Sequence, residues 1–201
     1  MKKSLLTLAS LFGAGLLSVS ADVIYVDQSA AGGNGTSWAA AFNKLQDAIA
    51  NASSGDEIWI SFGTYYPDEG VGQTAGDRTS TFYITKNISL YGGFTARETQ
   101  REQRDPASNI TILSGDLDQN PFSLDNAYHV VHVKGTDGVT LDGLTITKGY
   151  ANGNAANGLD VGGGLLVGIS DNVVLESLIF KDNFAGKGGG AYLSSSSVTM
   201  D

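Results

Sequence analysis

Val139-Thr-Leu-Asp-Gly-Leu-Thr-Ile-Thr-Lys-Gly-Tyr-Ala151 runs into Gly162-Gly-Gly-Leu165, and Val173-Val-Leu-Glu-Ser-Leu-Ile-Phe-Lys-Asp-Asn-Phe-Ala185 runs into Gly188-Gly-Gly-Ala191. Val198-Thr-Met-Asp201 opens a third copy. The spacing from one glycine triplet to the next nearly equals that from Val173 to Val198. A period in the twenties made of short β-runs marks a chain that stacks one coil per repeat. In this alignment Leu141 matches Leu175, Leu144 matches Leu178, Ile146 matches Phe180 and Ala151 matches Ala185, all at one common offset. That offset is longer than the glycine-triplet spacing, and the excess falls in Gly153–Asp160, a small polar bulge between coils.

Upstream, short runs rich in Val, Ile, Leu, Tyr and Phe alternate with turn residues. They include Val23–Val26, Glu57–Phe62, Thr81–Ile84, Ile88–Tyr91, Ile110–Leu113 and His129–Val133. Only Trp38 to Asn51 carries a helical period, through Phe42, Leu45 and Ile49, with Thr36-Ser37 as its N-cap. One early helix followed by strands excludes alternating β-α units. An antiparallel sandwich does not require a residue-by-residue repeat. Stacked coils do, because every turn meets the environment of the turn before it at about 4.8 Å. The expected fold is therefore all-β, a right-handed parallel β-helix with an N-terminal capping helix. The expected division is a signal peptide over 1–21, an N-terminal strand and capping helix leading into the first coil over 22–66, and β-helix coils over 67–201. Asp201 falls inside a strand repeat, so the coils are expected to be cut short at the C-terminal end. Trp38 and Trp59 are expected to pack in the cap and core.

The N-terminus has Lys2-Lys3, an apolar run from Leu5 to Leu17, and small residues at Val19-Ser20-Ala21. That is the pattern of a secretory signal, too short to span a bilayer as a helix. Without it, the chain changes from a formal charge of −9 to −11. An acidic surface repels phosphate backbones and anionic lipid, which argues against nucleic-acid and membrane-surface roles. With no cysteine, an exported chain holds itself by packing and backbone ladders. Glycine is abundant at 27 residues and proline scarce at 3, as suits tight turns between many strands.

The order Ser37-Trp38, Leu45-Gln46-Asp47-Ala48-Ile49, Gly55-Asp56-Glu57-Ile58-Trp59-Ile60, Gly63-Thr64-Tyr65, Leu90-Tyr91-Gly92-Gly93-Phe94, Glu98, Arg104, Thr111 to Asp116 and His129-Val130-Val131 covers most of the chain. It resembles bacterial exported right-handed β-helix proteins with a pectate-lyase-like fold. Phe180-Lys-Asp-Asn183 and Gly189-Gly190-Ala191-Tyr192 are similar to the repeats of polymorphic outer-membrane proteins. The preceding coil departs from that pattern: Gly149 stands where Asn would be, and Gly163-Gly164-Leu165-Leu166 lacks the Ala. The resemblance implies a secreted or cell-surface stalk of a bacterium, at the outer membrane, often with a C-terminal anchor or sorting module. It also brings in polysaccharide lyases and glycoside hydrolases, which share the fold.

The residues themselves offer little chemistry. Asp142 and Glu176 occupy equivalent positions in successive coils, and two carboxylates on one face are the minimum for glycoside hydrolysis. A lyase needs a base and a cation beside a uronate carboxylate; Lys148, Arg97, Arg101 and Arg104 are the candidates. Asp116-Leu-Asp118-Gln-Asn120 begins like a calcium loop, but Pro121 and Ala127 replace its Gly and Glu. Calcium through Asp116, Asp118 and Asp125 is thus the one metal suggested, and no other cofactor is. His129 and His132 lie three apart in a strand-like run, so alternation sends them to opposite faces and argues against zinc. Asn183 and the glycine triplets read as turn and corner residues. The expected function is a non-enzymatic stalk or adhesin-like segment contacting glycan or cell-surface protein. The alternative is a carbohydrate-active enzyme with its site in the Asp142/Glu176 groove or beyond residue 201.

Overall fold

A computed structural model describes residues 21–120 and 124–201. Residues 1–20 of the expected signal peptide lie outside the described residues. Among those described, the strands in chain order are β1 Val23–Val26, β2 Glu57–Ser61, β3 Gly63–Tyr65, β4 Phe82–Ile84, β5 Ser89–Phe94, β6 Thr111–Ser114, β7 Val131–Lys134, β8 Thr140–Asp142, β9 Leu144–Thr147, β10 Tyr150–Ala151, β11 Leu165–Gly168, β12 Val173–Glu176, β13 Ile179–Lys181, β14 Phe184–Ala185, β15 Ala191–Ser194 and β16 Val198–Met200. The fold is predominantly β, and every pairing among these strands is parallel.

These strands form three principal sheets and one short pair. The first runs β1-β2-β5-β8-β12-β16, the second β3-β6-β9-β13, the third β4-β7-β11-β15, and β10 pairs β14. From β2 onward the chain visits the first, second and third sheets in turn and then returns to the first. Each strand lands on the one laid down a circuit earlier.

The register follows the repeat. Leu141 pairs Leu175, Ile146 pairs Phe180, Ala151 pairs Ala185 and Val173 pairs Val198. Inward side chains thereby stack in rows, such as Ile24–Ile58–Leu90–Leu141–Leu175–Met200. Ile58, Leu90 and Leu141 are 0% exposed, and burial of such a side chain contributes roughly 1.5–3 kcal/mol. The bulge over Gly153–Asp160 contains a short 3-10 turn, Ala155–Asn157, capped by the Asn154 side chain.

The helix differs from its expected span. Among the described residues only α1, Leu45–Asn51, is α-helical, and Trp38–Ala40 makes a separate 3-10 turn without a side-chain cap from Ser37. Phe42 explains the break. Its N–H donates to Tyr25 O at 3.0 Å, its carbonyl accepts Asp27 N at 2.9 Å, and it bridges Val26. Strand pairing thus takes the residues that the helical period would have enrolled. Leu45, Ala48 and Ile49 of α1 join the main core beside Val26, Ile58 and Ile84.

The tryptophans also lie elsewhere than under α1. Trp59, Tyr91 and Phe94 form a second cluster, joined by Tyr25 and Trp38, on the opposite side of the first sheet from the main core. Trp59 stacks on Phe94 with centroids 4.8 Å apart. The Trp38 indole N–H donates to Glu98 O at 2.8 Å.

Candidate functional site

The outer faces of the first and third sheets are treated differently. On the first, the outward row is Tyr25–Trp59–Tyr91–Asp142–Glu176. The charged segment between Arg97 and Asp105, which holds the candidate cations Arg101 and Arg104, docks over this row. Arg101 donates to Glu57 at 2.9 Å and to the Tyr91 hydroxyl at 3.0 Å, with its guanidinium 4.7 Å from the Tyr91 ring centre. Arg104 donates to Gly92 O at 3.1 Å and pairs with Asp142.

Asp142 and Glu176 are adjacent in register, as their equivalence in the repeat suggested. Their environments diverge. Asp142 is 3% exposed and held by Arg104, whereas Glu176 is exposed. Asp142 gives one oxygen to Arg104 and keeps the other buried without a hydrogen-bond partner, while Glu176 faces solvent. Lys148 stands apart on an exposed turn after β9, with φ 65°, and its carbonyl accepts the Asn126 amide at 2.8 Å.

The acidic loop closes on itself. The Asn120 amide donates to both Asp118 and Asp125, the latter at 3.0 Å. Desolvation and the neighbouring Asp125 push the Asp118 carboxyl up, while Asn120 draws Asp125 down. Pro121 lies outside the described residues. No three His, Cys, Asp or Glu side chains gather as a metal cage among the described residues.

The outward row of the third sheet is exposed at its Tyr83 end and half-buried at His132, Leu166 and Tyr192. Tyr83, His132, Leu166 and Tyr192 are paired in succession across β4, β7, β11 and β15. The rows on either side, Phe82–Val131–Leu165–Ala191 and Ile84–Val133–Val167, face the core, and Leu193, which continues the second of them, is 37% exposed. Strand spacing makes the outward row about 14 Å long. Tyr83 is 45% exposed, and its ring lies 5.0 Å from that of His132 at 58°.

The histidines correct the sequence reading. Their rings are neighbours, 5.9 Å apart, not on opposite faces. Alternation applies only within a strand, and β7 begins at Val131, two residues after His129. His129 is buried, and its Nδ1 donates to Gly162 O at 3.1 Å. Burial holds both imidazoles below their usual range. His132 is pushed down to about 4, with help from the nearby His129 and Lys134.

At its Tyr83 end the row opens into a cleft of about 640 Å³ between α1, the 71–81 loop and β4. The loop wall is tied down by polar contacts. Gln46 on α1 donates to Pro67 O at 2.6 Å and Thr81 O at 2.9 Å. Asp47 accepts Val71 N at 2.8 Å, and Asp68 accepts Gly76 N at 2.8 Å. Arg78 turns away, reaching Asn126 O, Tyr150 O and Asn152 while stacking over Tyr128. A wall anchored at both ends forms a cleft before any ligand arrives.

The corner residues behave as read. Asn183 donates to Ile146 O at 2.8 Å and accepts Gly149 N at 2.9 Å, tying its turn to the preceding circuit. Gly149 and Gly163 pack backbone on backbone: a Cβ on Gly149 would lie 1.8 Å from Gly163 O.

The outward row and its cleft were not foreseen, because the residues that build them sit at unequal intervals. No family model, curated protein or solved structure matches the chain. No helix among the described residues is long and apolar enough to cross a membrane.

Proposed function

We propose that this chain is an exported, cell-surface segment of a right-handed parallel β-helix with a pectate-lyase-like fold, contacting glycan or protein without catalysing a reaction. The cyclic visiting of three parallel sheets supports the coil architecture, and the strong preference for right-handed parallel crossovers supports its hand. Helix α1 serves as the lid, its apolar face closing the first turn of the core. The Lys2-Lys3, Leu5 to Leu17 and Val19-Ser20-Ala21 pattern supports export, and the resemblance to bacterial exported β-helix proteins supports a bacterial source. Contact of this kind needs no cofactor.

The observation that carries the contact role is the outward row Tyr83–His132–Leu166–Tyr192 on the third sheet, exposed at Tyr83 and half-buried along the rest. Flat rings and an aliphatic side chain on a rigid face suit stacking against sugar rings or an apolar protein strip. In the pair on which the catalytic alternative rests, Asp142 is engaged by Arg104 and Glu176 is exposed. The test is a glycan array and a surface-protein pull-down with the full chain and with Tyr83→Ala/Tyr192→Ala. Binding that the double variant abolishes is expected. Binding indifferent to the double variant, or release of sugar products from any polysaccharide, would refute the proposal.

A further inference from the structure

We infer that the cleft at the Tyr83 end of the row is a subsite for a neutral oligosaccharide and rejects uronates. This rests on the glycan arm of the preceding reading and assigns the chemistry of one place on that face.

The shape suits a sugar. Tyr83 forms part of the wall and remains nearly half exposed, with one side of its ring backed by His132. The anchored loop adds Gln73, Thr79 and Ser80 to the lining, with the Thr79 hydroxyl donating to Asp77. An aromatic platform in one cleft with uncharged donors and acceptors matches the two sides of a pyranose, its C–H face and its hydroxyl edge.

Charge decides the class of sugar. Among the described residues, Lys86 is the single Lys or Arg lining the cleft. Its three ammonium protons are directed at the end of α1, with carbonyls of Ala52, Ala50 and Ile49 at 2.6, 3.0 and 3.4 Å. Those carbonyls need a donor, because the last turn of a helix has none of its own to offer. The remaining charged liner is Asp77, whose carboxylate accepts Thr79 N at 2.9 Å and Thr79 Oγ1 at 2.8 Å. His132 presents a neutral ring. A uronate entering here would meet a carboxylate and a lysine already engaged by backbone carbonyls, so its desolvation would go uncompensated. A neutral sugar exchanges water for hydroxyl contacts and loses nothing of that kind.

The experiment is isothermal titration of the full chain with neutral hexasaccharides of β-1,4-glucose, β-1,4-xylose and β-1,3-glucose, and with hexagalacturonate. Each is repeated on Tyr83→Ala, Tyr83→Phe and Tyr192→Ala. Tyr83 is exposed, so thermal unfolding of its variants should match the parent. We expect at least one neutral probe to bind, about tenfold or more weaker binding with Tyr83→Ala, retention with Tyr83→Phe, and no binding of hexagalacturonate. Hexagalacturonate binding that depends on Tyr83 would overturn the charge argument while leaving glycan contact standing. Glycan binding that depends on Tyr192 and not on Tyr83 would overturn the cleft while leaving the row. Failure of every glycan would overturn both the subsite and the glycan arm.

Discussion

Truncating Leu141 to alanine tests the stacking that every other statement depends on. Leu141 is 0% exposed and sits in register between Leu90 and Leu175. It therefore has a leucine on each side along the row as well as neighbours across the core. A Leu→Ala change in such a place loses its transfer free energy and leaves a cavity that rigid neighbours cannot fill. We place the cost at roughly 3–5 kcal/mol, the upper part of the usual range. Leu175→Ala should cost less, roughly 2–3 kcal/mol, because its outer neighbour Met200 is 69% exposed and free to move inward. The double variant carries the sharper information. Side chains in contact couple by about 0.5–3 kcal/mol, whereas distant ones add. Since the two truncations enlarge one shared void, the double should cost less than the two singles together. Urea unfolding followed by circular dichroism measures all three, with stability read from the midpoint at constant slope. A Leu141→Ala cost below about 1 kcal/mol, or strict additivity with Leu175→Ala, would refute the register.

Asn183→Ala should cost about 1–3 kcal/mol, for it leaves Ile146 O and Gly149 N without their partners. Asn183→Asp should be no better, since a carboxylate cannot donate to Ile146 O; a melting temperature equal to the parent in either variant contradicts the tie. Gly149→Ala should destabilise by about 3 kcal/mol or more through its clash with the Gly163 backbone, visible as loss of folded yield, and normal yield contradicts the close approach. Stability should also fall on acidification. Burial lowers the folded pKa of His132 to about 4 from an ordinary 6.5, so the unfolded chain binds the proton first. The contribution is complete above about pH 6.5 and is lost as pH falls towards 4. The whole shift corresponds to about 3 kcal/mol, reduced by partial solvent contact to roughly 1–2 kcal/mol. Unfolding at pH 7 and pH 4.5 should show a smaller drop for His132→Gln than for the parent; equal drops would contradict it.

What could be read in the sequence was whatever the repeat enforces. Leu141 and Leu175 match because successive circuits offer the same pocket, and the additional residues of Gly153–Asp160 were absorbed in a bulge without disturbing the register. Upstream, the same row takes a much longer stretch of chain to pass from Leu90 to Leu141, because long segments are inserted between strands. The row of Tyr83, His132, Leu166 and Tyr192 shortens its step at every circuit, so no fixed period exposes it. Pairing alone brings it into line. Arg104 and Asp142 were hidden in the same way: they are remote in the chain, and a run of mixed charge reads as solvated until its docking face is known. His129 and Phe42 misled for a local reason, each lying just beyond the element whose periodicity was applied to it. The insertions that break the period are also what distinguish the faces of the molecule. The segment around Arg101 covers one sheet, and the 71–81 loop walls a cleft beside another. The binding chemistry proposed for this chain is therefore placed where the repeat is interrupted. An altered 71–81 loop should change ligand preference while leaving the inward rows and the register intact.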